Sequence, residues 1–309
     1  MTEENVSNPS TSRWIPWMTL MPFLAIFAVW QWGFRPVQHV DQIAGKIAVE
    51  AEIHTVRILG ETGNLQVVIG TAGTIEFVGR ALSVVQSAEH VQALKAAPVT
   101  LVRVSENAPP GTMVLRVSAV PKGFRRILTK GTQSDSQTDL RPGVFRQVDL
   151  DVAVPVDLKL EVVAEESNLR VDTRQASTSL DIEKGNVLVM HTSDALRVRN
   201  GGGPTVIEQH RGSLDAKVGG QLRVTLAELT ASIDMASETG RIGLYLPIHS
   251  SFKVDAKSNI NVRNAFGLEA KQTGPTEFCL SGDVGDGEHH EIAIRAKSGP
   301  VTLAVAAQQ

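Results

Sequence analysis

From Phe145 onward, apolar and polar residues alternate almost without a break. Leu150, Val152, Val154, Val156, Leu158, Leu160 and Val162 share one parity, and Pro155 breaks the ladder because it has no N–H to donate. Beyond them the runs shorten to apolar pairs two residues apart: Leu169/Val171, Leu180/Ile182, Leu188/Met190, Leu196/Val198, Leu214/Ala216, Leu222/Val224, Ala231/Ile233, Ile242/Leu244, Phe252/Val254 and Ile260/Val262. Successive side chains of a strand point to opposite faces, so each pair is expected to face inward. The residue inside the pair is polar in most cases: Arg170, Asp181, Arg197, Asp215, Arg223, Ser232, Lys253 and Asn261. Val189 and Gly243 are the exceptions, and Val206 adds one more inward step. The steps from Leu169 to Ile260 are about nine residues apart on average.

Upstream the same alternation recurs in Ile53–Ile58 and Leu65–Ile69, and strands are expected near Thr100–Val104 and Met113–Val117. A short helix is expected over Ala88–Ala96, with Ser87 as its N-cap and an end before Pro98. Residues 121–143 are polar and rich in turn formers, as in a long loop.

Each short strand is too small to bury a core alone. Stacking many of them encloses one narrow apolar column, so the pattern predicts an all-β chain, a single-stranded β-helix or β-solenoid with one short helix in its N-terminal part. An antiparallel sandwich, which also has strands every eight to twelve residues, is the alternative. Composition favours the narrow column. All four Trp (Trp14, Trp17, Trp30, Trp32) fall within the first 32 of 309 residues, and six Phe and one Tyr, Tyr245, follow residue 35.

Those Trp belong to a different element. Residues 14–34, WIPWMTLMPFLAIFAVWQWGF, contain no charge. As a helix they would reach roughly 31 Å, enough for the ~30 Å hydrocarbon core of a bilayer. Trp14 and Trp17 at one end and Trp30 and Trp32 at the other fit an interfacial aromatic belt, bracketed by Arg13 and Arg35. One transmembrane helix over residues 14–34, preceded by an N-terminal tail of residues 1–13, is expected to stay uncleaved, because no small-x-small site follows the apolar run. A linker over 35–46, a β-rich part over 47–144 and a ladder over 145–309 complete the expected organisation. Flanking charge is nearly balanced; large C-terminal domains cross regardless of it, so the soluble part is expected outside the cytoplasm, periplasmic or at the surface.

The ordered set of segments resembles the bacterial putative-adhesin family of β-solenoid domains of unknown function, over roughly residues 50–307. The resemblance rests on HTVRILGETGNLQVVIG as strand, Gly-containing turn and strand, then SAEHVQALKAAPVTLVRV as a helix before a strand pair. It continues with VDLDVAVPVDLKLEVVAEESNLRVDT, a strand ending in "VP" that leads into the ladder, and closes with GDGEHHEIAIRAKSGPVTLAV. Glu166-Ser167-Asn168 stands where the family has Gly. The resemblance implies no catalytic residues.

Charge and chemistry change this picture little. With 30 Lys+Arg against 33 Asp+Glu there is no basic field for nucleic acid, and a single Cys, Cys279, excludes an intrachain disulfide framework. Glu288-His289-His290-Glu291 reads as a solvated loop end, since adjacent His on a strand face opposite ways. Asp283, Asp286 and Glu288 lack calcium-loop spacing, and Gly282, Gly285 and Gly287 do not lead from a strand into a helix. Lys122, Arg125, Arg126 and Lys130, joined by Arg141 and Arg146, form the basic cluster and are candidates for contact with an anionic surface. No catalytic, cofactor-binding or metal-ligating residue is expected. The expected function is a membrane-anchored, non-enzymatic binding, adhesion-like or scaffolding surface whose partners are the lipid bilayer and an envelope glycan or protein. A cytoplasmic-facing scaffold and a glycan-active β-helix enzyme are the alternatives.

Overall fold

The computed structural model describes residues 37–85, 91, 100–105, 108–118, 145–287 and 289–307. Every element among them is a β-strand. In chain order they are β1 (Val37–Ala48), β2 (Thr55–Gly70), β3 (Thr74–Val85), β4 (Thr100–Val104), β5 (Thr112–Ser118), β6 (Phe145–Pro155), β7 (Lys159–Arg174), β8 (Thr178–Lys184), β9 (Val187–Thr192), β10 (Leu196–Asn200) and β11 (Thr205–His210). They continue as β12 (Leu214–Val218), β13 (Leu222–Leu226), β14 (Ile233–Ser237), β15 (Ile242–Leu246), β16 (Phe252–Ser258), β17 (Val262–Asn264), β18 (Ala270–Gln272), β19 (Phe278–Val284), β20 (His290–Ala296) and β21 (Val301–Val305). Among the described residues no helix is long and apolar enough to cross a membrane. The expected span 14–34 lies outside them, as does the expected helix apart from Val91.

The strands form two parallel ladders. One runs β5–β2–β7–β8–β10–β12–β14–β20–β16, the other β6–β2–β7–β9–β11–β13–β15–β21–β17. The long strands β2 and β7 contribute their first halves to the first ladder and their second halves to the other. From β8 to β15, successive strands alternate between ladders. Leu160, Thr178, Leu196 and Leu214 are therefore direct neighbours although eighteen residues separate each from the next. The nine-residue spacing in the sequence is half of this repeat. Parallel pairing throughout 159–246 departs from the antiparallel sandwich. Antiparallel strands cover three of the four ladder ends: β4 on β5, β3 and then β1 on β6, and β19 and then β18 on β16.

Between the ladders lies one continuous apolar core. Leu160, Leu196, Leu214, Ile233 and Ile292 stack from one side, and Leu169, Val187, Leu222, Ile242 and Val301 from the other, all 2% exposed or less. Burying such a side chain contributes about 1.5–3 kcal/mol, so each coil of two short strands adds only a few large contributions and depends on its neighbours.

Several inward pairs differ from those expected. Val187 and Val189 are buried, whereas Leu188 and Met190 face outward and are half-buried. Thr205 and Ile207 are buried and Val206 is not. The run Val187–Met190 is apolar at both parities, so alternation alone does not choose a face. Ile233 pairs inward with Met235 rather than with Ala231, which precedes the strand. Ile260 is exposed because it lies in the turn between β16 and β17. Val156 falls in the turn after Pro155. The expected strand–turn–strand over 54–70 is the single strand β2 from Thr55, and the expected linker 35–46 contains most of β1, which pairs with β3 from Val37 to Ala48. β1 is an edge strand, so its mixed polarity conceals it; among its described side chains Ile43 is the buried one. The division expected at 144/145 is not a break in the sheet, because β2 pairs with both β6 and β7.

Two backbone features hold the corners. Thr173, His191 and Gln209 have φ of 51°, 53° and 54° and recur every eighteen residues, marking the same left-handed corner in three successive coils. At the opposite corner Gly203 has φ 102°, and a Cβ there would collide with the carbonyl oxygen of Gly185 in the coil before.

Candidate functional site

The outer face of the first ladder is grooved. Parallel register places Glu161, Ser179, Arg197, Asp215, Asp234 and Ala293 in one outward row. Val163, Asp181, Arg199, Lys217, Ala236 and Arg295 form the next. A cavity of about 560 Å³ follows the first row, rimmed where the strands begin by Ser177, Ser213 and Ser232. A second, of about 870 Å³, follows the other row and is floored partly by Gly201 and Gly219. Both run across the strands, along the stacking direction, the first from β7 to β20 and the second from β5 and β2 to β14.

Charges of both signs line this face and partly neutralise one another. Arg199 grips both carboxylate oxygens of Asp215, with Nη1 donating to Oδ1 at 3.1 Å and Nη2 to Oδ2. This bidentate bond holds the Asp215 carboxyl below its ordinary value, against a smaller opposing effect of burial. Arg295 Nη1 lies 3.8 Å from Asp234 Oδ1, and Arg57 Nε donates to Glu161 Oε2 at 2.7 Å. The face thus offers rows of short hydroxyls between fixed, paired charges. Such a surface can hydrogen-bond an extended polar chain, and Glu161, Asp215 and Asp234 each face a cationic partner.

The outer face of the second ladder is different. Leu188, Met190 and Val206 lie there half-buried, and Arg223 packs its guanidinium 5.0 Å from the centre of the Tyr245 ring. At the corner, Asp172 Oδ1 accepts from Thr173 Oγ1 at 3.0 Å and lies 3.1 Å from His191 Nδ1. Burial would raise the Asp172 carboxyl, but the bonds from His191 and Thr173 outweigh it and hold the group low.

Polar residues inside the core, among them Arg174, Thr192, His210 and Asn200, escaped sequence reasoning. Arg174 is fully buried; its guanidinium donates to the carbonyl oxygens of Val154, at 3.0 Å, and Leu158, tying β7 to the turn after β6. Burial pushes its pKa down to about 10, opposed by the nearby Asp157. One coil on, Thr192 pairs with Arg174, and one coil further His210 stacks on Thr192. His210 Nε2 donates to Ser213 O at 3.2 Å, so the neutral ring accepts at Nδ1 from Thr192 Oγ1. Burial lowers the His210 pKa despite opposing bonds with the Ser213, Thr192 and Gly212 backbone. Asn200 sits at the other corner and donates to Gly185 O and Thr205 Oγ1 at 3.0 Å. The eighteen-residue spacing of Arg174, Thr192 and His210 is the signal that could have located this polar column.

Arg13, Trp14, Trp17, Trp30, Trp32 and Arg35 lie outside the described residues, as do Lys122, Arg125, Arg126, Lys130, Arg141 and Glu288. Arg146 is on β6, in register with Ser83. His289 bonds Gly285 O at 3.0 Å, and His290 and Glu291 open β20, so only part of that run is a loop. Asp283 and Asp286 are exposed. Cys279 is half-buried on β19, with Sγ 3.4 Å from Thr273 Oγ1. Among the described residues no three His, Cys, Asp or Glu side chains gather as metal ligands would.

No family model and no curated protein matches the chain. Several solved structures match it. A "putative cell adhesion protein" from Clostridium sporogenes ATCC 15579 has 12% identity and a TM-score of 0.31, over 88% of this chain and 100% of that one. A "putative adhesin" from Bacteroides fragilis NCTC 9343 has 13% identity and a TM-score of 0.29, over 86% and 97%. A "putative lipid binding protein" from Parabacteroides distasonis ATCC 8503 has 12% identity and a TM-score of 0.35, over 88% and 97%. At these values the likeness carries no functional argument.

Proposed function

We propose that the chain is a membrane-anchored, non-enzymatic β-solenoid that presents the grooved face of its first ladder, outside the cytoplasm, to an extended polar polymer such as an envelope glycan. The groove carries this reading. It is long, runs along the stacking direction and is lined by hydroxyls and paired charges, which suits repeated hydrogen bonding to a chain better than capture of a small molecule. Asp215 is committed to Arg199, which leaves it poorly placed for acid–base work.

The anchor reading rests on residues 14–34 and gains support from where the strands end. Val37, at the start of β1, is in register with Val85 of β3, and Val84 with Phe145 of β6. The chain that carries the expected span and the chain that carries Lys122, Arg125, Arg126 and Lys130 therefore join the sheet at neighbouring points. That brings the basic cluster's return point close to the anchor, where anionic headgroups would meet it. Antiparallel strands over three of the four ladder ends, with the fourth edge, β17, only three residues long, speak against a scaffold that polymerises end to end through bare parallel edges.

The test is binding of the full chain, in detergent micelles, to an array of purified envelope polysaccharides. Ser179→Trp fills the groove and Arg197→Glu reverses its central charge. Loss of binding in both variants with unchanged melting is expected. Failure to bind any polysaccharide, or binding that survives both substitutions, overturns the reading.

A further inference from the structure

The coil made by β20 and β21 is out of sequence order. β20 lies between β14 and β16, and β21 between β15 and β17, with parallel partners on both sides. The chain lays down β16 and β17, doubles back through β18 and β19, and returns to fill a slot one strand wide. What enters the slot is core: Ile292, Ile294, Val301 and Leu303 are 1% exposed or less. Among the described residues β20 and β21 pair with β14, β15, β16 and β17 and not with β19, the strand that precedes them. Their link to β19 is the glycine-rich turn after Val284, in which Gly285 has φ 81° and Gly287 N donates to Ser251 Oγ at 3.2 Å.

We infer that the slot between β14–β15 and β16–β17 is a docking site for the β20–β21 coil of a second copy of this chain, and that two copies join by exchanging it. The exchanged coil makes the same backbone ladders, the same core contacts and the same surface pairs, Lys297 Nζ to Glu238 Oε2 at 2.9 Å and Arg295 to Asp234. The two arrangements differ only in the path of the turn and in the cost of association, which is the condition for exchange of an identical element. No other partner offers the same Ile-x-Ile and Val-x-Leu spacing by construction.

Turn length provides the test. Val284 and His290 both pair with Phe252, on its two sides, so they stand two strand spacings, ~9.6 Å, apart. With residues 285–288 deleted, His289 alone bridges them and reaches only ~7 Å. The coil then cannot enter its own slot. In full chains carrying Cys279→Ser, one copy receives Asp234→Cys and the other Ala293→Cys, positions that pair in register. Neighbouring strands at ~4.8 Å suit a disulfide. On co-expression, the shortened turn is expected to shift the protein from monomer to disulfide-linked dimer. The native turn is expected to give a minor interchain band that grows on warming below the melting point. A shortened chain that stays folded and monomeric without an interchain link overturns the inference. If the shortened chain fails to fold, the native-turn pair decides, and no interchain link there overturns it.

Discussion

The His210 ring sits one coil above Thr192, its Nδ1 2.8 Å from Thr192 Oγ1, in the buried polar column that Arg174 begins. Both ring nitrogens are satisfied in the neutral form, since Nε2 donates to Ser213 O. Burial holds the folded-state pKa below the ordinary 6.5. A base whose pKa is depressed on folding contributes stability that is fully present above its unfolded pKa and is lost as pH falls through the folded one.

Melting temperature is therefore expected to hold steady above pH ~6.5 and to fall below it as the unfolded state takes up the proton first. His210→Leu, matching Leu226 at the paired position of the next coil, is expected to lower stability at pH 8 by about 1–3 kcal/mol, because Thr192 loses its partner. It should also flatten the acid slope near pH 6. Melts from pH 5 to 8 on both proteins check this; an unchanged slope in the variant would assign the acid sensitivity elsewhere.

Arg174 is expected to be one of the least replaceable residues. Arg174→Met keeps much of its volume but strands the carbonyls of Val154 and Leu158, at a cost of about 2–4 kcal/mol. Urea unfolding of the variant against the parent measures it. A loss under ~1 kcal/mol would mean that water or a neighbour takes over both carbonyls.

The second ladder separates alternation from structure. Val189→Asp places a carboxylate in the core and is expected to abolish cooperative melting, whereas Leu188→Asp, on the outer face, is expected to cost under ~1 kcal/mol. The reverse order of damage would restore the parity read from the sequence.

That pair also marks how far the sequence could be read. The nine-residue beat was visible because most strands carry apolar residues at one parity only, as in Leu222-Arg223-Val224. At Val187–Met190 both parities are apolar, and at Thr205–Ile207 a Thr takes an inward place, so only the tertiary register decides. The position of β20 between β14 and β16 left no trace in chain order, since hydrophobic spacing carries no information on which coil stacks upon which. Of the candidate site, Arg197, Asp215 and Asp181 were recognisable as outward. Their assembly into a groove depends on the eighteen-residue register, twice the visible spacing. The buried Arg174 and His210 look like surface residues until their neighbours are known.

The anchor is checked through its aromatics. All four Trp lie in residues 14–34, so Trp emission of the full chain reports on that segment alone. In vesicles containing brominated lipids the emission is expected to be quenched, and the protein is expected to stay with membranes at alkaline pH. Unquenched emission and release by carbonate would remove the anchor.

The groove and the polar column exist only if residues eighteen apart stack as neighbours. Cysteine pairing measures this directly. In a Cys279→Ser background, Ser179→Cys with Arg197→Cys joins positions in register on β8 and β10, whereas Ser179→Cys with Leu188→Cys, nine apart, places the thiols on opposite ladders. Mild oxidation is expected to close an intrachain disulfide in the first pair and none in the second. A disulfide in the second pair and none in the first would contradict the stacked-coil account.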